Sequence, residues 1–398
     1  VKSSNRKLLL VLSFTLVVVT LGFGLVMPII PFYMEQLGAG GTELGLLVAS
    51  YAVMRLIFGP IWGRLSDRVG RKPVLSIGVL GYGITMVGFG LATELWMMFA
   101  ARILSGVLSS ATSPTTMAYI SDSTSEEDRS GGMGILGAAA GVGTIFGPAL
   151  GGLLAQSSLS TPFFFAAGLS VLALVLIFSL LPESLEKEKR HSPDSAESPL
   201  DLRAWGEALF SPVWPMLVMA FIATAGMMIF YGILGLYALE RFGLGTEGVG
   251  VIFTILGLVT AAGQGLLVGP LTKRLGDLKV IRIGFLSSGL GLVAVMWANS
   301  YTTLLLSIGF FSLCNAVLIP AITSLTSKRA ILSQGVTMGM SNSFISLGRI
   351  LGPSLGGPAF DLDWNLPFLI GAAIMTIGYF WGMRGEDPGA SPAEPGHR

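Results

Sequence analysis

Three arginines, Arg55, Arg102 and Arg349, stand in stretches of this sequence that are otherwise almost wholly apolar. A guanidinium at the centre of a membrane helix costs at least about 2.5–3.5 kcal/mol, and ionisable groups there mark functional sites by default. The chemistry open to such a group is anion recognition, ion pairing, or a bias on the protonation of a neighbouring acid. Two of the three belong to polar stripes at helical spacing. Arg102 is followed by Ser105, Ser109, Thr112 and Thr116, and Arg349 is preceded by Asn342 and Ser346. No Asp or Glu falls in the middle of any apolar stretch; Glu35 and Glu240 lie at their ends. A cavity lined by these groups should be net positive and favour anions or neutral molecules. No nucleophile–base pair accompanies them. Cys314 is the only cysteine, and the two histidines, His191 and His397, fall in polar segments. The sequence therefore implies no enzyme, no metal and no cofactor.

A second charged group is "GRLSDRVGRKP", residues 63–73, with one acid and four bases between long apolar runs. Gly63 and Gly70 allow close helix approach and a turn with positive φ, and Pro73 suits the first turn of a helix. Asp67 can sit near a helix N-terminus, where the dipole favours an anion. Arg68, Arg71 and Lys72 are then available to pair with an acid at a neighbouring helix end, and Asp122 is the candidate. Lipid headgroups would attract the bases but explain neither Asp67 nor the bracketing glycines. A charge cluster that forms in one state and breaks in another is a latch on a conformational equilibrium.

The elements that carry these groups follow from composition. The chain has 398 residues, 52% hydrophobic and only 12% charged, against roughly 25% charged in soluble domains. Apolar runs of about 20 residues, the length that crosses a bilayer as a helix, recur throughout. Cutting at charged or Pro/Gly-rich breaks predicts twelve spans, at 8–34, 44–63, 74–93, 95–119, 131–155, 161–181, 212–238, 248–269, 280–299, 301–325, 334–358 and 365–383. The first is too long for a signal-peptide core and reads as a retained span. If the N-terminus is cytoplasmic, every Lys and Arg outside the spans except Arg241 falls on the cytoplasmic side, as the positive-inside rule requires. The expectation is an all-α, multi-pass protein of the cell inner membrane with both termini in the cytoplasm. Nothing points to nucleic acid, and a monomer in the lipid bilayer is expected.

Residues 182–211 are rich in Ser, Pro and charge and read as a cytoplasmic linker. Leu202, Trp205 and Leu209 recur at helical spacing, which fits either a short interfacial helix or a solvated stub. The linker separates residues 1–181 from 212–383, leaving 384–398 as a cytoplasmic tail. The two halves share features at an offset of 205 or 206 residues. Gly38 and Gly45 match Gly243 and Gly250; Gly63, Leu65, Arg68 and Gly70 match Gly269, Leu271, Arg274 and Gly276; "GPALGG" at 147–152 matches "GPSLGG" at 352–357. This is duplication of a six-span unit, an architecture of transporters with a mid-membrane site between the repeats.

At this point the sequence resembles a family. "GRLSDRVGRKP" is similar to the signature loop of the major facilitator superfamily, Gly-x-x-x-Asp-Arg-x-Gly-Arg-Lys, at every defining position. "LGFGLVMPIIP" (21–31), "RILSG" (102–106) and "GAAAGVGTIFGPALGG" (137–152) resemble the span-one, span-four and span-five motifs of its twelve-span drug:proton antiporter branch, the bacterial multidrug and tetracycline efflux type. The resemblance implies two pseudo-symmetric six-helix bundles exporting amphipathic, drug-like molecules by alternating access, with protons as coupling ion. It implies a role in proton coupling for Arg102, with Glu35 one of the few acids near the path. It implies close packing of the span-five antiporter motif (Gly141, Gly147, Pro148, Gly151, Gly152), in which Gly137/Gly141, Gly143/Gly147 and Gly147/Gly151, each four apart, give a smooth face, with spans five and eight set against eleven and two. Pro148 should kink that helix. It places the cavity on spans one, seven and ten, which offer Phe23, Met27, Met34, Met227, Met228, Tyr231, Phe310 and Phe311, with Arg55 and Arg349 adding charge. Members of the branch carry a membrane carboxylate in spans one, seven or ten; here Tyr231 and Asn315 stand in the equivalent stretches. Two other readings stay open: an exchanger or facilitator for organic anions, and a non-transporting receptor or scaffold.

Overall fold

The computed structural model of the protein describes residues 3–185, 213–330 and 334–383. The expected interfacial helix around Leu202, Trp205 and Leu209, and the tail from 384, lie outside these residues. Every regular element among the described residues is helical. Spans one to seven are Ser3–Gln36, Gly41–Val69, Arg71–Gly90, Leu95–Ser123, Glu126–Leu154, Thr161–Leu180 and Trp214–Phe242. Spans eight to twelve are Thr246–Leu266, Asp277–Met296, Tyr301–Lys328, Gln334–Leu362 and Leu366–Met383. Eleven of these are long and apolar enough to cross a membrane. Span eleven is long enough but too polar, because Asn342, Ser346, Arg349 and Asp361 interrupt it. It is held between spans seven and two. Exposed apolar side chains such as Ile84, Val171, Leu306 and Phe380 cover the outside, where only lipid can bury them.

Spans four and ten are not the continuous helices that apolarity predicts. Span four is Leu95–Ser109 followed by Thr112–Ser123, and span ten is Tyr301–Ala316 followed by Leu318–Lys328. Pro114 and Pro320, 206 residues apart, explain both breaks. Each lacks the N–H that would bond the carbonyl four residues earlier, at Ser110 and Ala316. Pro270 does the same to Leu266, and a separate short helix, Val268–Leu275, follows span eight. Pro148, by contrast, sits inside an unbroken helix.

The duplication is visible in the packing. Span one packs on five and six, three on four and six, and two on four; spans seven to twelve repeat each of these pairings. Gly38, Gly70, Gly243 and Gly276 are the positive-φ residues among those described, and they form two repeat-related pairs. The halves meet through spans two and eleven and through five and eight.

Glycines locate where these cross-contacts are tight. In the half of the molecule farther from residues 63–73, a Cβ on Gly45 would strike the Pro353 carbonyl, and one on Gly250 would come within 2.6 Å of the Pro148 carbonyl. Gly41 meets Gly357 and Gly152 meets Thr246, again as repeat-related contacts. Toward residues 63–73 the same four spans separate: Gly59 and Gly63 of span two, Gly137 and Gly141 of span five, Gly265 of span eight and Gly339 of span eleven have nothing within 4 Å of a built Cβ. The bundles are closed at one end and apart at the other.

Candidate functional site

Between the halves lies a cavity of about 330 Å³, lined by spans one, two, four, five, seven and eleven. Helix spacing on span two delivers Val48, Tyr51, Ala52 and Arg55 to one wall. Span four adds Arg102 and Ser109 just before its break, with Ser113 just after. Span one contributes Phe23 and Met27, span five Thr144, span seven Met228, and span eleven Ser346 and Arg349. All three arginines thus face one space, with Ser109 from the polar stripe on span four, whereas Thr112 and Thr116 of that stripe are buried away from it. None of the lining residues is an acid.

The arginines sit differently. Arg102 is 2% exposed, its guanidinium lies over the Tyr51 ring at 4.7 Å from the centroid, and its Nε has no hydrogen-bond partner. Such a cation–π contact is worth about 0.5–2 kcal/mol, far less than a carboxylate partner would give a buried cation. Arg55 and Arg349 are exposed to the open cavity and lie near each other and near Tyr51. Among the described residues no carboxylate pairs with any of the three. Glu35 does not approach Arg102. It is exposed at the far end of span one, in electrostatic reach of Glu240.

Other residues expected at the cavity point elsewhere. Met228 lines it and Met227, one position and about 100° around the helix, does not. Tyr231 packs against Phe230 and Phe253. Asn315 is buried at the break in span ten with its Nδ2 unpartnered. Phe310 faces outward, while Phe311 and Met34 are fully packed. The antiporter motif also divides. Gly147 and Gly151 lie against the backbone of span one at Leu21 and Leu25, Gly152 lies against span eight, and Gly141 touches nothing. Pro148 is part of the span-eight contact through its carbonyl.

At the open end, residues 63–73 form a charge cluster centred on Arg71. Its guanidinium pairs with Asp67 at 2.5 Å and with Asp122 at 2.9 Å, and donates to the Ser66 hydroxyl at 2.7 Å. Gly70 turns the chain at φ 111°. The expectations for the other members need correction. Asp67 ends span two, and the acid that accepts from the N-terminus of span three is Glu183, through the backbone N–H of Arg71 at 2.8 Å and of Lys72 at 3.2 Å. Lys72 does not pair with Asp122; its Nζ donates to the carbonyls of Phe178 and Leu181, where span six ends and carbonyls lack helix partners. Arg68 is exposed at the end of span two, and Gly63 faces open space. Glu183 was missed because no local pattern links a residue after span six to the start of span three.

The second half holds a counterpart with its signs reversed. Asp277, buried, pairs with Lys328 at 2.5 Å beside the positive-φ Gly276. These positions lie 206 residues after Arg71, Asp122 and Gly70, and Lys273 occupies the place of Asp67. At the closed end the halves are clasped. Asp361 of span eleven accepts from the backbone N–H of Gly41 at 2.7 Å and of Thr42 at 2.8 Å, and from the Thr42 hydroxyl, capping span two. Gln156 donates to Glu247 at 2.6 Å, and the Thr246 hydroxyl donates to the Gly152 carbonyl at 3.1 Å.

Known proteins share both the sequence and this architecture. Multidrug resistance protein 2 of Bacillus subtilis (strain 168) is 32% identical over 377 residues, which is 94% of each chain. The quinolone resistance protein NorA of Staphylococcus aureus is 28% identical over 374 residues, 94% of this chain and 95% of that one. Among solved structures, the nucleoside transporter NupG superposes with a TM-score of 0.80 at 16% identity, over 95% of this chain and 98% of that one. The human organic anion transporter MFSD10 (TETRAN) superposes with a TM-score of 0.69 at 22% identity, over 95% and 99%. At those identities the structural likeness speaks to fold alone. The sequence profile of the Major Facilitator Superfamily matches residues 12–267 and 246–398, so that with its two repeated bundles and the cavity between them this chain belongs to that superfamily: a multi-pass membrane transporter and not an enzyme.

Proposed function

We propose that the protein exports amphipathic small molecules by alternating access across a bacterial inner membrane, as a monomer with both termini in the cytoplasm. The observation that carries this reading is the cavity of about 330 Å³ between the halves, closed on one side by spans two–eleven and five–eight and open on the other. The open end bears the 63–73 cluster and faces the cytoplasm on the charge rule. This is the loading state of an exporter. Residues 1–181 and 212–383 are the two rocking bodies, joined by the 182–211 linker. The latch of Gly63, Asp67, Arg68, Gly70, Arg71, Lys72 and Asp122 biases the two states. Phe23, Met27 and Met228 give the cargo an adaptable apolar wall, consistent with the multidrug resistance named for the relatives.

Protons are the coupling ion in this reading. Arg102 has no acid neighbour to bias, so the proton-sensitive groups are the gating carboxylates at the two ends, Asp67, Asp122 and Asp361, with Glu35 nearby. Arg102 then couples by holding the cargo rather than by tuning an acid. In proteoliposomes, an imposed pH gradient should drive efflux of a lipophilic substrate by the wild type. Arg102→Ala should lose gradient-driven efflux and, because the residue holds the cargo, slow downhill exchange as well. A wild type indifferent to the pH gradient refutes proton antiport; one that moves no substrate in either mode refutes transport.

A further inference from the structure

The cavity has an unfilled electrostatic requirement. Arg55, Arg102 and Arg349 converge on it, no acid lines it, and the innermost of the three is buried with only an aromatic ring beneath it and an Nε that bonds to nothing. A buried polar group without a partner is rare, and a buried charge without one is rarer. Water reaches Arg55 and Arg349 through the open end, whereas closing that end would strip it away. Among the described residues, three carboxylates at the two ends of the cavity are already engaged. Asp67 and Asp122 are bonded to Arg71 at one end, and Asp361 is bonded to the start of span two at the other. The missing negative charge has to arrive with the cargo.

We propose that the cargo carries an acidic head group, a carboxylate, sulfonate or phosphonate, seated among Arg55, Arg102 and Arg349. Its apolar body lies against Phe23, Met27 and Met228. The inference rests on the export reading and names the substrate class of that same cavity. Geometry supports a two-ended site: the three arginines supply donors at one end, and planar guanidinium forks suit oxyanions. It also bears on energetics. An inside-negative membrane potential pushes an anion outward, by a concentration ratio of roughly 50-fold per charge per 100 mV. Efflux of such a cargo is therefore helped by the potential even where no mid-span carboxylate carries a proton.

The test uses three fluorescent probes with one body and different heads: dansyl-aminohexanoate, its primary amide, and the amine dansyl-cadaverine. Full-length protein in nanodiscs should bind the acid at least tenfold tighter than the amide or the amine. Arg349→Gln and Arg55→Gln change exposed side chains and should leave the fold intact; each should cut affinity for the acid about tenfold and leave the amide unchanged. Arg102→Gln should do the same, with thermal melting reporting whether it folds. In proteoliposomes, a valinomycin-set potential, negative on the loading side, should speed efflux of the acid and slow that of the amine. Equal or tighter binding of the amine, no binding of the acid, or Gln variants that weaken all three probes alike would overturn the proposal. If the amine is exported under a pH gradient while the acid is ignored, export stands and this inference falls. If the acid binds selectively but nothing crosses the membrane, the reverse holds.

Discussion

Asp361 offers the sharpest test of alternating access, because one carboxylate from the second half caps a helix of the first. It accepts two backbone N–H bonds, from Gly41 at 2.7 Å and Thr42 at 2.8 Å, together with the Thr42 hydroxyl. Hydrogen bonds to a charged group contribute about 1.5–3 kcal/mol each, and the positive end of span two adds about 0.3–1 kcal/mol. Asp361→Asn keeps one oxygen acceptor and the shape of the side chain but loses the charge and at least one bond. Because Asp361 is exposed, we discount these figures for solvent screening to a net loss of about 1–2 kcal/mol. That loss falls only on the state closed at this end. The equilibrium should therefore move toward opening there by roughly 5- to 30-fold. Protonation would remove the same charge and act in the same direction. The assay is a single cysteine on the cavity wall, Met27→Cys in a Cys314→Ser background, labelled from outside intact cells with an impermeant maleimide. Asp361→Asn should raise the labelling rate by that factor, and Asp361→Glu should raise it less. Unchanged labelling, with folded protein at normal yield, would refute the idea that this cap holds the end shut.

Gly45→Ala should favour the same opening, since its Cβ collides with the Pro353 carbonyl only when spans two and eleven are closed. Gly141→Ala should leave this state undisturbed and, by impeding closure at the latch end, trap it; labelling the Met27→Cys thiol from each side in turn separates the variants. Asp67→Asn removes one of the two carboxylates on Arg71 and should slow turnover severely with ligand binding retained, so wild-type turnover in vesicles refutes the latch. Glu183→Ala uncaps the start of span three and should cost about 1–2 kcal/mol of stability, seen as a lower melting temperature in detergent with substrate affinity unchanged.

What could be read in the sequence is what local chemistry writes there. Apolar runs, the Lys/Arg asymmetry and the 206-residue offset specify spans and repeats without tertiary information. The convergence of Arg55, Arg102 and Arg349 follows because ionisable groups on membrane helices, alone or within polar stripes, avoid lipid. Pro114 and Pro320 were equally legible as breaks, but a single proline inside an uncharged run is neither a charged nor a Pro/Gly-rich break. The rest depends on long-range placement. Met228 faces the cavity and Met227 does not because of the rotation of span seven, which packing against span eleven decides. Glu183 and Asp361 act on residues 112 and 320 positions away, and no spacing rule reaches so far.

The sign reversal between Arg71–Asp122 and Asp277–Lys328 has a consequence for how the chain assembles. Two halves with the same helix order, emerging one after the other, can in principle exchange equivalent helices, and duplicated folds are prone to such domain-swapped traps. Here an exchange is penalised at its most telling contact. If span three of the first half docked on span ten of the second, Arg71 would meet Lys328; the reciprocal error would set Asp277 against Asp122. Both mistakes bring like charges together in a half-buried site, where repulsion is weakly screened. Each repeat therefore carries, at the turn between its second and third helices, a mark of which partner is its own. Copying the first half's signs onto the second, with Asp277→Arg and Lys328→Asp, would preserve a salt bridge in each half and erase that mark.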